Sequence, residues 1–175
     1  MPQILPHRVT TLLIAFNPRD EVLLLERTRE PNRGLWSPPG GKVHTEEGES
    51  PYECAVREAR EEMGLELSVR DLHLAGLVAE KGYEGKKHWL MFVFEIRPLL
   101  QTLPLEHPEG RFEFFSRARI ESGDISIPQT DREKIWPSFW KYRGGFFSLS
   151  CECLEEGSHR WVEEETISGR AIGPA

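Results

Sequence analysis

Three glutamates, Glu58, Glu61 and Glu62, stand three and four residues apart in the run Arg57-Glu58-Ala59-Arg60-Glu61-Glu62-Met63. On a helix, at about 100° per residue, such positions share one narrow arc. Like charges so placed repel one another and weaken the helix unless a cation sits among them. Hard divalent cations take oxygen ligands, and Mg²⁺ in particular is held by a few carboxylates together with the phosphate oxygens of a substrate. The arc is therefore a candidate metal site. Arg57 lies beside it, where a guanidinium can orient or partly neutralise a carboxylate. The competing reading is a solvated acidic face, the common state of a charged helix. The glycine pair Gly40-Gly41 just upstream permits close backbone approach and tips the balance toward a site.

The element that must present these residues is marked at both ends. Ser50 is a candidate N-cap, Pro51 suits the first helical position, and Glu53 can close a capping box onto Ser50. Gly64 supplies a left-handed exit, with Leu65 packing back on the last turn. The spacing predicts a helix from Pro51 to Met63.

The run from Glu49 to Arg57-Glu58-Ala59-Arg60-Glu61-Glu62-Met63-Gly64-Leu65 resembles the signature of the Nudix hydrolases, and it matches every fixed position of the second half of that pattern. Gly34-Leu-Trp-Ser-Pro-Pro-Gly-Gly-Lys42 resembles the approach to the box in the MutT-like branch. Seven residues separate Gly41 from Glu49, two more than the family pattern has, so His44 to Gly48 must form an enlarged loop. Loop-closure entropy grows slowly enough with length to tolerate that.

The resemblance implies an α/β fold, the Nudix α/β/α sandwich with a mixed β-sheet, plus a C-terminal β-hairpin extension. A single Nudix hydrolase domain is expected over residues 1–165, with its core at 8–142, the extension at 143–165, and a disordered tail at 166–175. It also implies Mg²⁺, or Mn²⁺, held by Glu58, Glu61 and Glu62, with the Gly41 carbonyl and Glu49 assisting and Arg57 orienting Glu58. In the MutT-like branch a glutamate from the loop before a late strand reaches the metal. Aligning Gly110-Arg111-Phe112 makes Glu106 the nearer counterpart, with Glu109 the alternative. The general base is Glu58, Glu62 or a glutamate of that loop, with Glu58 the first choice.

Composition narrows the partners. The chain has 22 basic and 29 acidic residues, a net charge of −7, which argues against passive binding along a nucleic acid polymer and leaves room for a small nucleotide bridged by metal. No stretch approaches the roughly 18 apolar residues of a membrane span. A cytoplasmic protein with no membrane partner is expected. Cys54, Cys151 and Cys153 are too few for a disulfide framework and read as packing residues in a reducing compartment.

Along the chain, RVTTLLIAF (8–16) and EVLLLE (21–26) read as a hairpin about Asn17-Pro18-Arg19-Asp20. A polar loop then carries Arg27, Arg29 and Arg33. One of these arginines can clamp phosphate or stack on a base, against a default of solvent-facing arginine; Arg27 and Lys42 are the candidate substrate-binding residues here, and Trp36 reads as a packed residue. Residues 66–80 contain a strand, KHWLMFVFEIR (87–97) is the strongest one, and 98–110 is a long loop of the kind that is usually functional or mobile. RFEFFS (111–116) is a further strand. Asp131 stands where the MutT-like branch reads a purine edge; the simpler account makes Thr130 or Asp131 the N-cap of helix DREKIWPSFWKY, which Pro137 interrupts. FFSLSCECL and HRWVE form the C-terminal hairpin, which adds edge strands or mediates a homodimer.

The activity implied is hydrolysis of a nucleoside diphosphate-linked substrate, first a nucleoside triphosphate such as 8-oxo-dGTP cleaved to monophosphate and pyrophosphate. ADP-ribose or a nucleotide sugar is the alternative, weakened because Lys81 stands where the ADP-ribose branch often has proline. The NADH branch's signature is absent. A non-catalytic nucleotide-binding regulatory domain is the reading from another class, opposed by the intact box glutamates.

Overall fold

The computed structural model describes residues 4–30, 32–105, 108–154 and 157–169. Eight strands and three helices occur among them: β1 (His7–Ile14), β2 (Val22–Arg27), β3 (Trp36–Ser37), α1 (Pro51–Met63), β4 (Leu72–Tyr83), β5 (Lys87–Ile96), β6 (Gly110–Phe115), α2 (Arg117–Ser122), α3 (Trp136–Lys141), β7 (Phe146–Cys153) and β8 (His159–Ile167). A mixed sheet of order β1-β5-β4-β7-β8 is accompanied by a three-stranded sheet of order β3-β2-β6. Within the larger sheet β1 runs parallel to β5 and β4 parallel to β7, while β4-β5 and β7-β8 are antiparallel.

Alternation along the strands explains the layers. Leu13 and Ala15, with Leu23 and Leu25, pack with Ala55, Ala59 and Met63 of α1. Ile14 and Phe16, with Val22 and Leu24, pack in a second cluster with Trp136 and Phe139 of α3. Successive side chains on a strand point to opposite faces. Both faces are therefore covered, which is why β1 and β2 read as near-continuous apolar runs. This is the expected α/β/α arrangement, and the C-terminal hairpin continues the larger sheet at β4.

Three expectations are corrected. β1 and β2 do not form a hairpin: a single bridge, Phe16 to Val22, joins them before β2 enters the other sheet. Each strand needs cover on both faces and finds its partner far away in sequence, β5 for β1 and β6 for β2. Neither Thr130 nor Asp131 caps the last helix. Thr130 is already helical at φ −61° and ψ −38° without a side-chain cap bond, and Arg132 N–H donates to Pro128 O at 3.1 Å. Residues Asp131–Ile135 form a π-helical turn, closed by Trp136 N–H to Asp131 O. Pro137 has no N–H to give Glu133, and the wider register accommodates that. Finally, β8 continues to Ile167, so Thr166 and Ile167 belong to a strand paired with Phe147 and Phe146 rather than to a disordered tail. Residues 170–175 lie outside the described residues.

No helix among the described residues is long and apolar enough to cross a membrane.

Candidate active site

Helix α1 sets the phase of the carboxylates. Its capping box is complete, with Ser50 Oγ accepting from Glu53 N–H and Glu53 Oε2 accepting from Ser50 N–H at 2.8 Å. Pro51 opens it, and Gly64 at φ 65° ends it. This phase turns Ala55, Glu58, Ala59 and Glu62 inward on one face. Glu61 falls on the flank, with its side chain 51 % exposed.

The glycine turn lies against the start of that face. Residues 39–43 run beside β1, with Leu13 N–H donating to Pro39 O and Thr11 N–H to Gly41 O, each at 2.8 Å. At Gly40, φ is 142° and an added Cβ would stand 2.2 Å from Thr11 O. At Gly41 the Cβ would stand 2.1 Å from Glu58 Oε1. Gly40 has no room for a side chain, because the backbone of β1 stands in the way, whereas a side chain at Gly41 would force the Glu58 carboxylate to move. The Gly41 carbonyl, expected at the metal, accepts from both Thr11 N–H and the Thr10 hydroxyl, the latter at 2.7 Å. Those bonds turn it to β1.

Arg57 is the hub of the acidic cluster. Its Nε and Nη2 hold Glu49 bidentately at 2.7 and 3.0 Å, and its Nη1 donates to Glu58 at 2.7 Å and Glu61 at 3.2 Å. Hydrogen bonding from Arg57 draws Glu49 down to about 2. The enlarged loop folds as a 3₁₀ turn, Thr45–Glu47, ended by Gly48 at φ 74°. His44 N–H then donates to Glu49 at 2.8 Å. The two extra residues thus close on themselves and deliver Glu49 to Arg57.

Above the turn opens a cavity of about 420 Å³ lined by Arg27, Lys42, Glu58, Glu62, Glu80, Glu109 and Asp131, among others. The carboxyls fall into two groups. Burial raises Glu58, with Arg57 opposing, and raises Glu62 to about 7, with the Gly40 N–H at 3.0 Å opposing; the charge of Glu109 pushes both further up. At the other group burial raises Glu80 to about 7 and Asp131 to about 8, Asp131 also feeling the Glu80 charge. Thr130 hydrogen-bonds to both and moderates the rise.

The structure thus brings Glu58, Glu62, Arg27, Lys42 and Asp131 to one cavity, with Glu109 as the loop glutamate. Glu106 lies outside the described residues. Glu49 and Glu61 stand behind Arg57 instead. Trp36 is packed against Phe115 as expected, at 4.8 Å between ring centroids. Sequence reasoning missed Glu80, Ser37, Tyr83 and Trp89, which also line the cavity. Glu80 carried the one available signal, an acid at the end of an apolar strand pattern.

Among the described residues no three His, Cys, Asp or Glu side chains stand close enough to make a ready metal cage. Arg57 occupies the space between Glu58 and Glu61. The oxygen-only donors lining the cavity, Glu58, Glu62 and Glu109, nonetheless suit Mg²⁺, which needs only one or two carboxylates when substrate phosphates complete its shell.

Residues 6–135 match the NUDIX domain model, and the chain belongs to the Nudix family. It is 32% identical over 108 residues to an uncharacterised Nudix hydrolase of Bacillus subtilis, covering 61% of this chain and 64% of that protein. It is 28% identical over 126 residues to the ADP-ribose pyrophosphatase of Methanocaldococcus jannaschii, covering 72% and 69% respectively. The chain therefore spans about two thirds of the length of these relatives. The fold matches the crystal structure of the mutator MutT protein of Bacillus halodurans, with a TM-score of 0.69 and 23% identity over 90% of this chain and 97% of that one.

Proposed function

We propose that this protein is a divalent-metal-dependent pyrophosphohydrolase acting on a nucleoside triphosphate of purine type, such as 8-oxo-dGTP, to release the monophosphate and pyrophosphate. The observation that carries this reading is the single cavity that joins Glu58, Glu62 and Glu109 to a buried Asp131. One group suits phosphate and metal, the other an uncharged base.

Bound Mg²⁺ or Mn²⁺ would offset the negative charge of the phosphate chain and polarise the phosphorus under attack. Glu58 and Glu62, with Glu109, would hold it. The chain's own part is to fix geometry. Arg57 anchors Glu58, and the Gly40 N–H anchors Glu62, so neither carboxylate must be reoriented when substrate arrives. Arg27 and Lys42 supply positive charge to the phosphates. Glu58 is the proposed acceptor of the proton from the attacking water. Glu49 and Glu61 act by holding Arg57.

Product analysis with Mg²⁺ on a panel of nucleoside triphosphates, 8-oxo-dGTP, ADP-ribose and nucleotide sugars tests the reading, with Glu62→Gln as the control. Monophosphate plus pyrophosphate, lost in the variant, is the expected result. The identity to an ADP-ribose pyrophosphatase favours a second substrate reading, and turnover of ADP-ribose alone would replace the first. Stabilisation by nucleotide without any turnover would make the domain a nucleotide-binding regulator.

A further inference from the structure

Buried polar atoms almost always find a partner, because leaving one unpaired costs stability. Three buried side-chain atoms among the described residues have none: Ser37 Oγ, Glu80 Oε1 and Trp140 Nε1. Two of the three, Ser37 and Glu80, line the cavity of the proposed active site. Ser37 is 6% exposed and Glu80 4%. Glu80 sits within β4, opposite Trp89 of β5 and Cys151 of β7, where an apolar residue would cost nothing to bury. Lys81, the next residue in the chain, pairs with Glu152 instead, and Lys134, close to Asp131 in sequence, pairs with Glu163. The fold itself gives no reason for a carboxyl at position 80.

We propose that Glu80, together with Asp131 and the Ser37 hydroxyl, is the base-reading set of the cavity, and that Glu80 selects a ring edge carrying an amino group, an N–H and a carbonyl side by side, the guanine type. The inference rests on the hydrolase reading only for the way the nucleotide enters, phosphates toward Glu58 and Glu62. The set provides complementary groups. A carboxylate accepts two parallel N–H donors, its two oxygens matching an amino group and the adjacent ring N–H. A neighbouring carboxyl that retains its proton donates to the carbonyl. Two like carboxyls in one buried site favour that mixed state, since the first charge opposes the second. An adenine-type edge has no carbonyl and leaves one group of the set unpaired, and that loss is what makes polar sites discriminating. Trp89, directly across the strand pair from Glu80, offers a flat wall to the ring. Of the titratable groups around this pair, His159 of the hairpin opposes the rise at Glu80 and the Glu80 charge acts on Asp131, while Tyr83 on β4 and Cys151 and Cys153 of the hairpin are themselves raised by burial and by Glu80.

The test is binding in EDTA, where hydrolysis does not contribute. Calorimetry with GMP, AMP and ribose 5-phosphate is compared for the full chain, Glu80→Gln and Ser37→Ala. The expected result is GMP bound about tenfold more tightly than AMP or ribose 5-phosphate, one good hydrogen bond's worth. Glu80→Gln, whose amide presents a donor where an acceptor is needed, removes that tenfold preference and leaves ribose 5-phosphate binding as it was. Ser37→Ala lowers GMP binding about threefold, and it carries the test alone should Glu80→Gln fail to fold. Equal binding of GMP and AMP, a preference for ribose 5-phosphate, or full guanine preference in both variants overturns the proposal. Because no turnover is measured, guanine-selective binding in a protein that hydrolyses nothing on the panel would sink the hydrolase reading and leave this one standing.

Discussion

The two carboxyl groups of the cavity are both buried, and burial raises the carboxyls of both, yet they differ in what holds them. Glu58 and Glu62 are gripped by fixed donors, the Arg57 guanidinium and the Gly40 N–H. Glu80 and Asp131 share Thr130 as a hydrogen-bond partner, and burial, with the Glu80 charge acting on Asp131, pushes both toward the protonated form while His159 opposes this at Glu80, so the pair favours holding a proton. A charge gripped by donors is built to meet other charges. A carboxyl neutralised by a proton is built to meet an uncharged partner, because it can donate as well as accept. One cavity therefore suits a molecule with a charged end and a neutral, hydrogen-bonding end, and a nucleotide is such a molecule.

Breaking the gripped group should have the largest effect. Glu58→Gln or Glu62→Gln is expected to lower kcat by about a thousandfold, within the range set by loss of a general base or its equivalent, while GMP binding in EDTA stays as in the parent. A matching loss of GMP binding would mean that the two groups are one. Gly41→Ala comes next. Its methyl would stand 2.1 Å from Glu58 Oε1, so the carboxylate must move, and about a hundredfold loss of kcat/KM is expected on the scale of a roughly 1 Å misplacement. Arg57→Lys should cost about tenfold, because a lysine cannot hold Glu49 bidentately while reaching Glu58; an unchanged rate would remove Arg57 as an orienting group.

The smallest effect sharpens the other side of the comparison. Glu80 and Asp131 are held at about 7 and about 8, well above the ordinary carboxyl range near 4. The folded state thus keeps protons that the unfolded chain gives up. The stability they contribute is complete below about pH 4 and is lost as pH rises through 7 to 8. Glu80→Gln carries no such ionisation. Relative to the parent, its melting temperature should gain roughly 5 °C between pH 5 and pH 8.5 in thermal unfolding without ligand. A constant difference across that range would show that Glu80 ionises in the folded protein as it does in water.

Much of the fold was legible because local rules agree with the tertiary result. The capping box, Pro51 and Gly64 place α1 without help from the rest of the molecule, and the apolar runs of β1, β2 and β5 declare themselves as strands. Strand pairing was not legible. The run 8–26 looks like a hairpin because its turn is a good one, and only the long-range registers with β5 and β6 overrule it. The start of the last helix was misread because Asp131 is a good capping type, whereas the backbone turns helical before it.

What the sequence determined by itself is the acidic face of α1 and the glycine turn, since helix period and backbone reach bring Glu58, Glu62 and Gly41 together from a single short stretch. Only the tertiary structure decided which carboxylates share the cavity. It set Glu49 and Glu61 behind Arg57, brought Glu109 in from a loop, and joined Glu80 of β4 to Asp131 from beyond α2. The physical reason is that an acid at the end of a strand pattern does not show locally whether it is buried. Its burial, and hence its proton, depends on neighbours contributed by strands and turns far away in the chain.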